Sequence, residues 1–226
     1  MNYQLALFDF DGTLADSFPF FISVQNQLAA RHGFREIAPD QIEACRHLTP
    51  QQLMRRAGLS RWKLPFLASS FVELMRDAGG SIALFDGVAD VLMDLHARGV
   101  VLALVTSNSE ANARRILGER LAGLFAHIDA GASMFGKRPR IVRVLKASQV
   151  PAARAIYVGD QTSDGEAARK AGVAFGAVSW GYATGEALQQ CAPQEVFESV
   201  GDLRRIGAGI AAGQSIAAHA GGQSMR

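Results

Sequence analysis

Sulfur is scarce in this chain: two cysteines, Cys45 and Cys191, in 226 residues. They lie far apart and form no CxxC pair, and the five histidines are scattered, so neither a disulfide framework nor a clustered thiolate or imidazole metal site can be written from them. Both cysteines are expected as free thiols in a reducing compartment. Excess charge is missing too: 23 basic against 21 acidic residues leave a formal net charge of +2. That balance argues for neither a nucleic-acid nor a membrane-surface partner. Apolar runs long enough for a membrane span are absent. The opening MNYQLALFDFDG has no basic stretch followed by an apolar one, so no signal peptide is expected, and the expected location is cytoplasmic. What remains is the composition of a soluble globular enzyme, long enough for one large domain or for one with a smaller insertion.

The patterning is of two kinds. Gln4 to Phe8 is a short apolar run that ends on Asp9, with a turn at Gly12. From Ser17 to about Asp77 apolar residues recur at three-to-four spacing, as in Phe20–His32 and Leu67–Arg76. Pro39, Pro50 and Pro65 cut this region into short helices, and Gly79-Gly80 ends it. After Gly87, helices and apolar strands alternate. Helices are predicted at Val88–Arg98, Glu110–Arg120, Arg138–Ser148 and Gly165–Ala171. Strands are predicted at Val100–Val105, Phe125–Asp129, Ala155–Val158 and Val173–Ser179. Strands apolar on both faces that alternate with helices predict a parallel sheet covered on both sides. A last helix follows a Ser199/Asp202 capping box. The expected organisation is an α/β core of Rossmann-like parallel-sheet type over residues 1–16 and 84–206, an inserted helical cap over 17–83, and a flexible Gly/Ala-rich tail over 207–226.

Ligands of such sheets bind at the carboxyl ends of the strands. Here those ends carry Asp9 and Asp11, then Thr106-Ser107-Asn108, then Lys137 in a loop, then Asp160 with Asp164 four residues on. Crowded carboxylates repel unless a hard cation sits among them, and Mg²⁺ prefers a few carboxylates together with phosphate oxygens. Thr106 and Lys137 suit the remaining phosphate oxygens. The set therefore predicts phosphoryl transfer, with a carboxylate available as nucleophile. Asn108 reads equally as a helix N-cap or a substrate contact. The run KRPRIVRVLK reads first as a solvated helix face rather than a nucleic-acid contact. Phe18, Phe20 and Phe21 read as cap core, and Trp180-Gly181-Tyr182 as packing that borders the site.

In order and spacing, DFDGTLADS, LVTSN, GK and VGDQTSD resemble the motifs of the haloacid dehalogenase superfamily. The helical block resembles the small cap of its phosphoglycolate-phosphatase-like branch, and the likeness in layout runs to about residue 205. The resemblance implies that Asp9 attacks phosphorus and that Asp11 serves as acid and then base. It implies that Mg²⁺ is held by Asp9, the Asp11 carbonyl and Asp160, with Asp164 binding a metal water or steadying Lys137. Thr106, Ser107 and Asn108 would meet the phosphate, and Lys137 would offset its charge. The lysine is followed by Arg138-Pro139-Arg140 where the family often has prolines, and Lys146 is a rival placed too deep in its helix. The implied substrate is a small phosphorylated metabolite of phosphoglycolate type, and the implied assembly a monomer or homodimer. The same motifs would also serve a phosphomutase of the β-phosphoglucomutase kind. A receiver-type phosphoryl acceptor fits less well, because of the helical insertion and the late GDxxxD, and the complete motifs speak against a binding protein without turnover. Metal-free dehalogenation would leave Asp11 and the late acids without a task.

Overall fold

A computed structural model describes residues 3–48, 52, 55–58, 82–131 and 136–208 of the chain. Its centre is a six-stranded sheet of β1 (Leu5–Phe8), β4 (Val101–Val105), β5 (Phe125–Asp129), β6 (Ala155–Gly159), β7 (Ala174–Val178) and β8 (Glu195–Phe197), all parallel, in the order β5-β4-β1-β6-β7-β8. β1 pairs with β4 on one side (Leu5 opposite Val101) and with β6 on the other (Leu5 opposite Ala155).

The strands are apolar throughout because both faces are covered. Side chains alternate between faces, and the core divides accordingly. Ala6, Phe8, Leu102, Leu104, Ile156 and Val158 pack on one side, against α3 (Val88–Ala97), α4 (Glu110–Ala122) and a 3₁₀ segment, Val200–Gly207. Leu5, Leu7, Ala103, Val105, Ala155 and Tyr157 pack on the other, against α5 (Arg138–Ser148) and α6 (Thr162–Ala171). The alternating architecture predicted from the sequence is observed.

Local differences have local causes. The final predicted helix is the 3₁₀ segment, with the Ser199/Asp202 capping box in place, and it carries on into a buried Gly207. α6 begins three residues earlier than predicted, at Thr162, because Gln161 supplies an N-cap that closes a box with Asp164. In α4 the backbone leaves helical geometry at Gly118 (φ 70°, ψ 163°), a conformation that glycine adopts without steric cost.

The chain leaves the sheet after β1 through a tight turn and a two-stranded antiparallel ribbon of β2 (Ala15–Asp16) and β3 (Ala83–Leu84). Between these strands α1 (Phe18–His32) and α2 (Ile42–Cys45) gather Phe18, Ile22, Ile37 and Cys45 into a small core of their own. Phe20 packs instead into the main core. The predicted helix Leu67–Arg76 and the tail from residue 209 lie outside the described residues. Among the described residues no helix is long and apolar enough to cross a membrane, and both cysteines are free thiols.

Candidate active site

The carboxyl edge of the sheet brings four loops together. β1 ends on Asp9, which is 4% exposed, and its backbone N–H is already committed to the Val158 carbonyl on β6 (2.9 Å). β6 ends on Asp160, and the first turn of α6 carries Asp164; both are fully buried. One carboxylate oxygen from each of Asp9, Asp160 and Asp164 lies within 4.8 Å of the others. Lys137, the residue before α5, places its Nζ 2.6 Å from Asp9 Oδ2 and 2.7 Å from Asp164 Oδ1. The other Asp164 oxygen accepts the Gln161 N–H (3.0 Å), so the helix cap aims its partner at the lysine. Asp164 is thus both a capping residue and a site residue.

The electrostatics follow from burial. Desolvation pushes the Asp9 carboxyl up to about 7, with Lys137 opposing and Asp164 adding to the rise. Burial, then Asp9 and Asp164, hold Asp160 well above the usual carboxylate range. Burial works against the Lys137 ammonium, but Asp9, Tyr157 and Asp164 outweigh it and hold it well above its ordinary value. Three buried carboxylates thus face one lysine. This is a donor set of hard oxygens with too little positive charge, and it fits a small divalent cation such as Mg²⁺. A prediction follows from the sign. A carboxyl raised to about 7 favours the metal-free fold below about pH 4, and that contribution is lost as pH rises through 7. Mg²⁺ should therefore raise the melting temperature more at pH 8 than at pH 5.5, by about 4–8 °C for roughly 2 kcal/mol. Scanning calorimetry with and without the ion checks it.

Asp11 stands two residues on, half-buried. Asn108 Nδ2 donates to its Oδ2 (3.0 Å). Burial raises its carboxyl, and the nearby Ser17 and Asn108 side chains restrain the rise. Thr106, at the end of β4, is buried, and its Oγ1 accepts the Asn108 N–H (3.0 Å). Ser107 is exposed beside it. Asn108 is not the N-cap of α4; Ser109 is, accepting the Asn112 N–H (3.2 Å), which leaves the Asn108 amide for Asp11. Lys146 is exposed and away from the cluster, so Lys137 is the lysine of the site.

Four further residues shape the site. Thr13 Oγ1 donates to Asp160 Oδ1 (3.0 Å), and the Tyr182 N–H donates to Asp160 Oδ2 (2.8 Å). The Tyr182 hydroxyl lies 2.6 Å from Ser17 Oγ, and burial raises the phenol so that it stays protonated. Tyr157 lies under Lys137 Nζ, 5.9 Å from its ring centre. Arg140 is the exception to a solvated helix face. It is buried, its guanidinium donates to the Thr106 carbonyl (2.6 Å) and the Gly131 carbonyl, and it props the loop that ends β4. A signal existed, since Arg140 and Val144 share a helix face and Ile141 adjoins them, all three buried.

Close backbone approach explains two glycines. A Cβ on Gly12 (φ +79°) would lie 2.4 Å from Asp160 Oδ2, and one on Gly181 would lie 2.1 Å from Asp160 Cβ. Gly181→Ala should displace Asp160, destabilise the fold by about 1–3 kcal/mol and weaken Mg²⁺ binding. Thermal unfolding together with Mg²⁺ titration reads both effects.

The family model described as haloacid dehalogenase-like hydrolase matches residues 6–178. A phosphoglycolate phosphatase of Synechococcus elongatus is 34% identical over 201 residues, which is 88% of this chain and 95% of that one. A phosphoglycolate phosphatase of Pseudomonas fluorescens is 31% identical over 218 residues, covering 90% and 78%. Among solved structures, a haloacid dehalogenase-like family hydrolase from Streptococcus pneumoniae superposes with a TM-score of 0.76 at 20% identity, covering 89% of this chain and 96% of that one. At that identity the likeness is one of fold.

Proposed function

The chain belongs to the haloacid dehalogenase-like hydrolases, and on that premise we propose that it is a Mg²⁺-dependent phosphatase that hydrolyses a small phosphomonoester of phosphoglycolate type through a phosphorylated Asp9. The observation that carries this reading is the arrangement around Asp9: a buried carboxylate bound by Lys137, clustered with Asp160 and Asp164, and followed two residues on by a half-buried Asp11 held by the Asn108 amide. The names of the relatives support the substrate class.

The residues divide the work. Asp9 attacks phosphorus in line with the departing oxygen. Lys137 favours the ionised form of Asp9 and offsets the phosphoryl charge. Asp11 protonates the leaving oxygen, then takes a proton from the water that hydrolyses the intermediate. Thr106, Ser107 and Asn108 line the phosphate side, with Arg140 fixing their loop. Mg²⁺, held by the Asp9 carboxylate, the Asp11 carbonyl and Asp160, would supply positive charge beside the phosphoryl oxygens. Asp164 steadies Lys137, the contact its Oδ1 makes here, or holds a metal water. On this reading residues 1–16 and 84–206 form the catalytic core, and 17–83 the cap that selects the substrate.

The test is release of inorganic phosphate from p-nitrophenyl phosphate and a panel of small phosphomonoesters, with Mg²⁺ and with EDTA. Metal-dependent release, fastest with a phosphoglycolate-like ester, is the expected result. No release from any ester by folded, Mg²⁺-bound protein would overturn it. Conversion of a sugar phosphate that depends on its bisphosphate, with little free phosphate, would point to the mutase.

A further inference from the structure

Two helical segments of this chain open with a closed capping box. The N-cap side chain accepts the N–H of the third helical residue, and that residue's carboxylate accepts the N-cap N–H in return. Asp164 does so for Gln161 (3.0 Å) and Asp202 for Ser199 (2.9 Å). α4 makes only the first half. Ser109 Oγ accepts the Asn112 N–H (3.2 Å), but the Ser109 N–H donates to Asn108 Oδ1 (2.8 Å) instead of to residue 112. Asn112 Nδ2 donates to that same Asn108 oxygen (3.0 Å), and Asn112 Oδ1 accepts from Arg115.

From this geometry we infer that Asn112 is a positioning residue for the phosphate side of the site: α4 leaves its capping box open so that two donors hold Asn108. The inference rests on the phosphatase reading above. Which end of an amide is oxygen and which is nitrogen follows from its partners. A backbone N–H can only donate, so the Asn108 atom that faces Ser109 is the oxygen. Asn112 meets that oxygen and presents its NH2. The Asn108 NH2 therefore points the other way, into the cleft, where Nδ2 donates to Asp11 Oδ2 (3.0 Å). Turned over, Asn108 would set its oxygen against Asp11 and its NH2 against two donors. What Asn112 secures is thus a donor, fixed in direction, beside the reacting groups.

Asn112→Asp separates the two uses of this position. An aspartate has the shape of asparagine but no side-chain N–H. Its carboxylate accepts the Ser109 N–H and closes the box, as Asp202 does for Ser199, and its other oxygen keeps Arg115. It also adds negative charge to the first turn of α4, where the helix dipole favours it. Asn108 then loses both of its donors. The variant should melt about 1–4 °C higher than the parent, yet its kcat/KM for the best ester of the panel should fall about tenfold. A residue that merely held the fold would move both in the same direction. Asn108→Ala removes the group through which Asn112 acts. In that background Asn112→Asp should still raise the melting temperature but change kcat/KM by less than about twofold. Repulsion of an anionic ester by the added charge would persist there. Calorimetry and initial rates on the four proteins of this cycle test the proposal. A melting temperature that does not rise in Asn112→Asp overturns the open box. An undiminished kcat/KM, or a loss of equal size with and without Asn108, overturns the positioning role. No turnover of any ester by the unaltered, folded, Mg²⁺-bound enzyme overturns the phosphatase reading itself, and the task given to Asn112 with it.

Discussion

Asp9→Asn should abolish phosphate release, lowering kcat by about 10³-fold or more, equivalent to about 4 kcal/mol of barrier. The amide occupies nearly the same volume, so Tyr157, Lys137 and the β1–β6 pairing keep their places. What disappears is the anionic oxygen that forms the bond to phosphorus. The same change removes one of three clustered carboxylates, the one that burial, with Asp164 adding, pushes up to about 7. The metal-free variant is therefore expected to melt no lower than the parent at pH 8. The extra stability conferred by Mg²⁺ should shrink, because a ligand is lost. Activity and stability thus move apart. Phosphate assay and calorimetry on one preparation read both, and retention of more than a tenth of the parental kcat would remove Asp9 from the role of nucleophile.

Lys137→Met should strike activity and stability together. Lys137 is the only cation within salt-bridge distance of Asp9 and Asp164 among the described residues, and its side chain is 14% exposed. Removing one member of a buried ion pair leaves an uncompensated charge and costs about 3–5 kcal/mol. The cost has a sign in pH. The Asp9 carboxyl left behind is pushed higher still, so the variant suffers least where it is protonated, near pH 5, and most at pH 8. Urea unfolding at the two values should show the gap between parent and variant widening with pH. Mg²⁺ should recover part of the stability, since it brings back positive charge, but kcat should stay about 10²–10³-fold down, because no group then meets the phosphoryl charge from the lysine side.

How much of this could be read from the sequence depended on how far each partner lies along the chain. Asp9, Asp11, Asp160 and Asp164 were legible because each sits at the end of an apolar strand or a few residues past it, and the strand itself announces the place. Lys137 was legible through the helix it precedes. Whether Asn108 caps the helix or faces the site was not, since an asparagine can do either and only the position of Asp11 across the cleft decides it. Thr13 was not legible as a site residue and Tyr182 only as packing at the border of the site, because their partners, Asp160 and Ser17, are distant in sequence. Arg140 was hidden by its neighbours, a run of basic residues most of which do face water.

The position of β1 has a consequence for how the molecule comes into being. The strand that carries Asp9 is made before the other five strands of its sheet, yet it is clasped between β4 and β6, which are made much later. Its edges stay unpaired through the synthesis of residues 17–83 and, on one side, until Ala155 has emerged. Contacts this distant close slowly, and a waiting apolar strand with open edges invites pairing with another chain. Newly made or refolding protein should thus be most prone to aggregate before the segment from Ala155 to Gly159 arrives. A chain truncated just short of it should be insoluble, even though it holds both aspartates of the first motif.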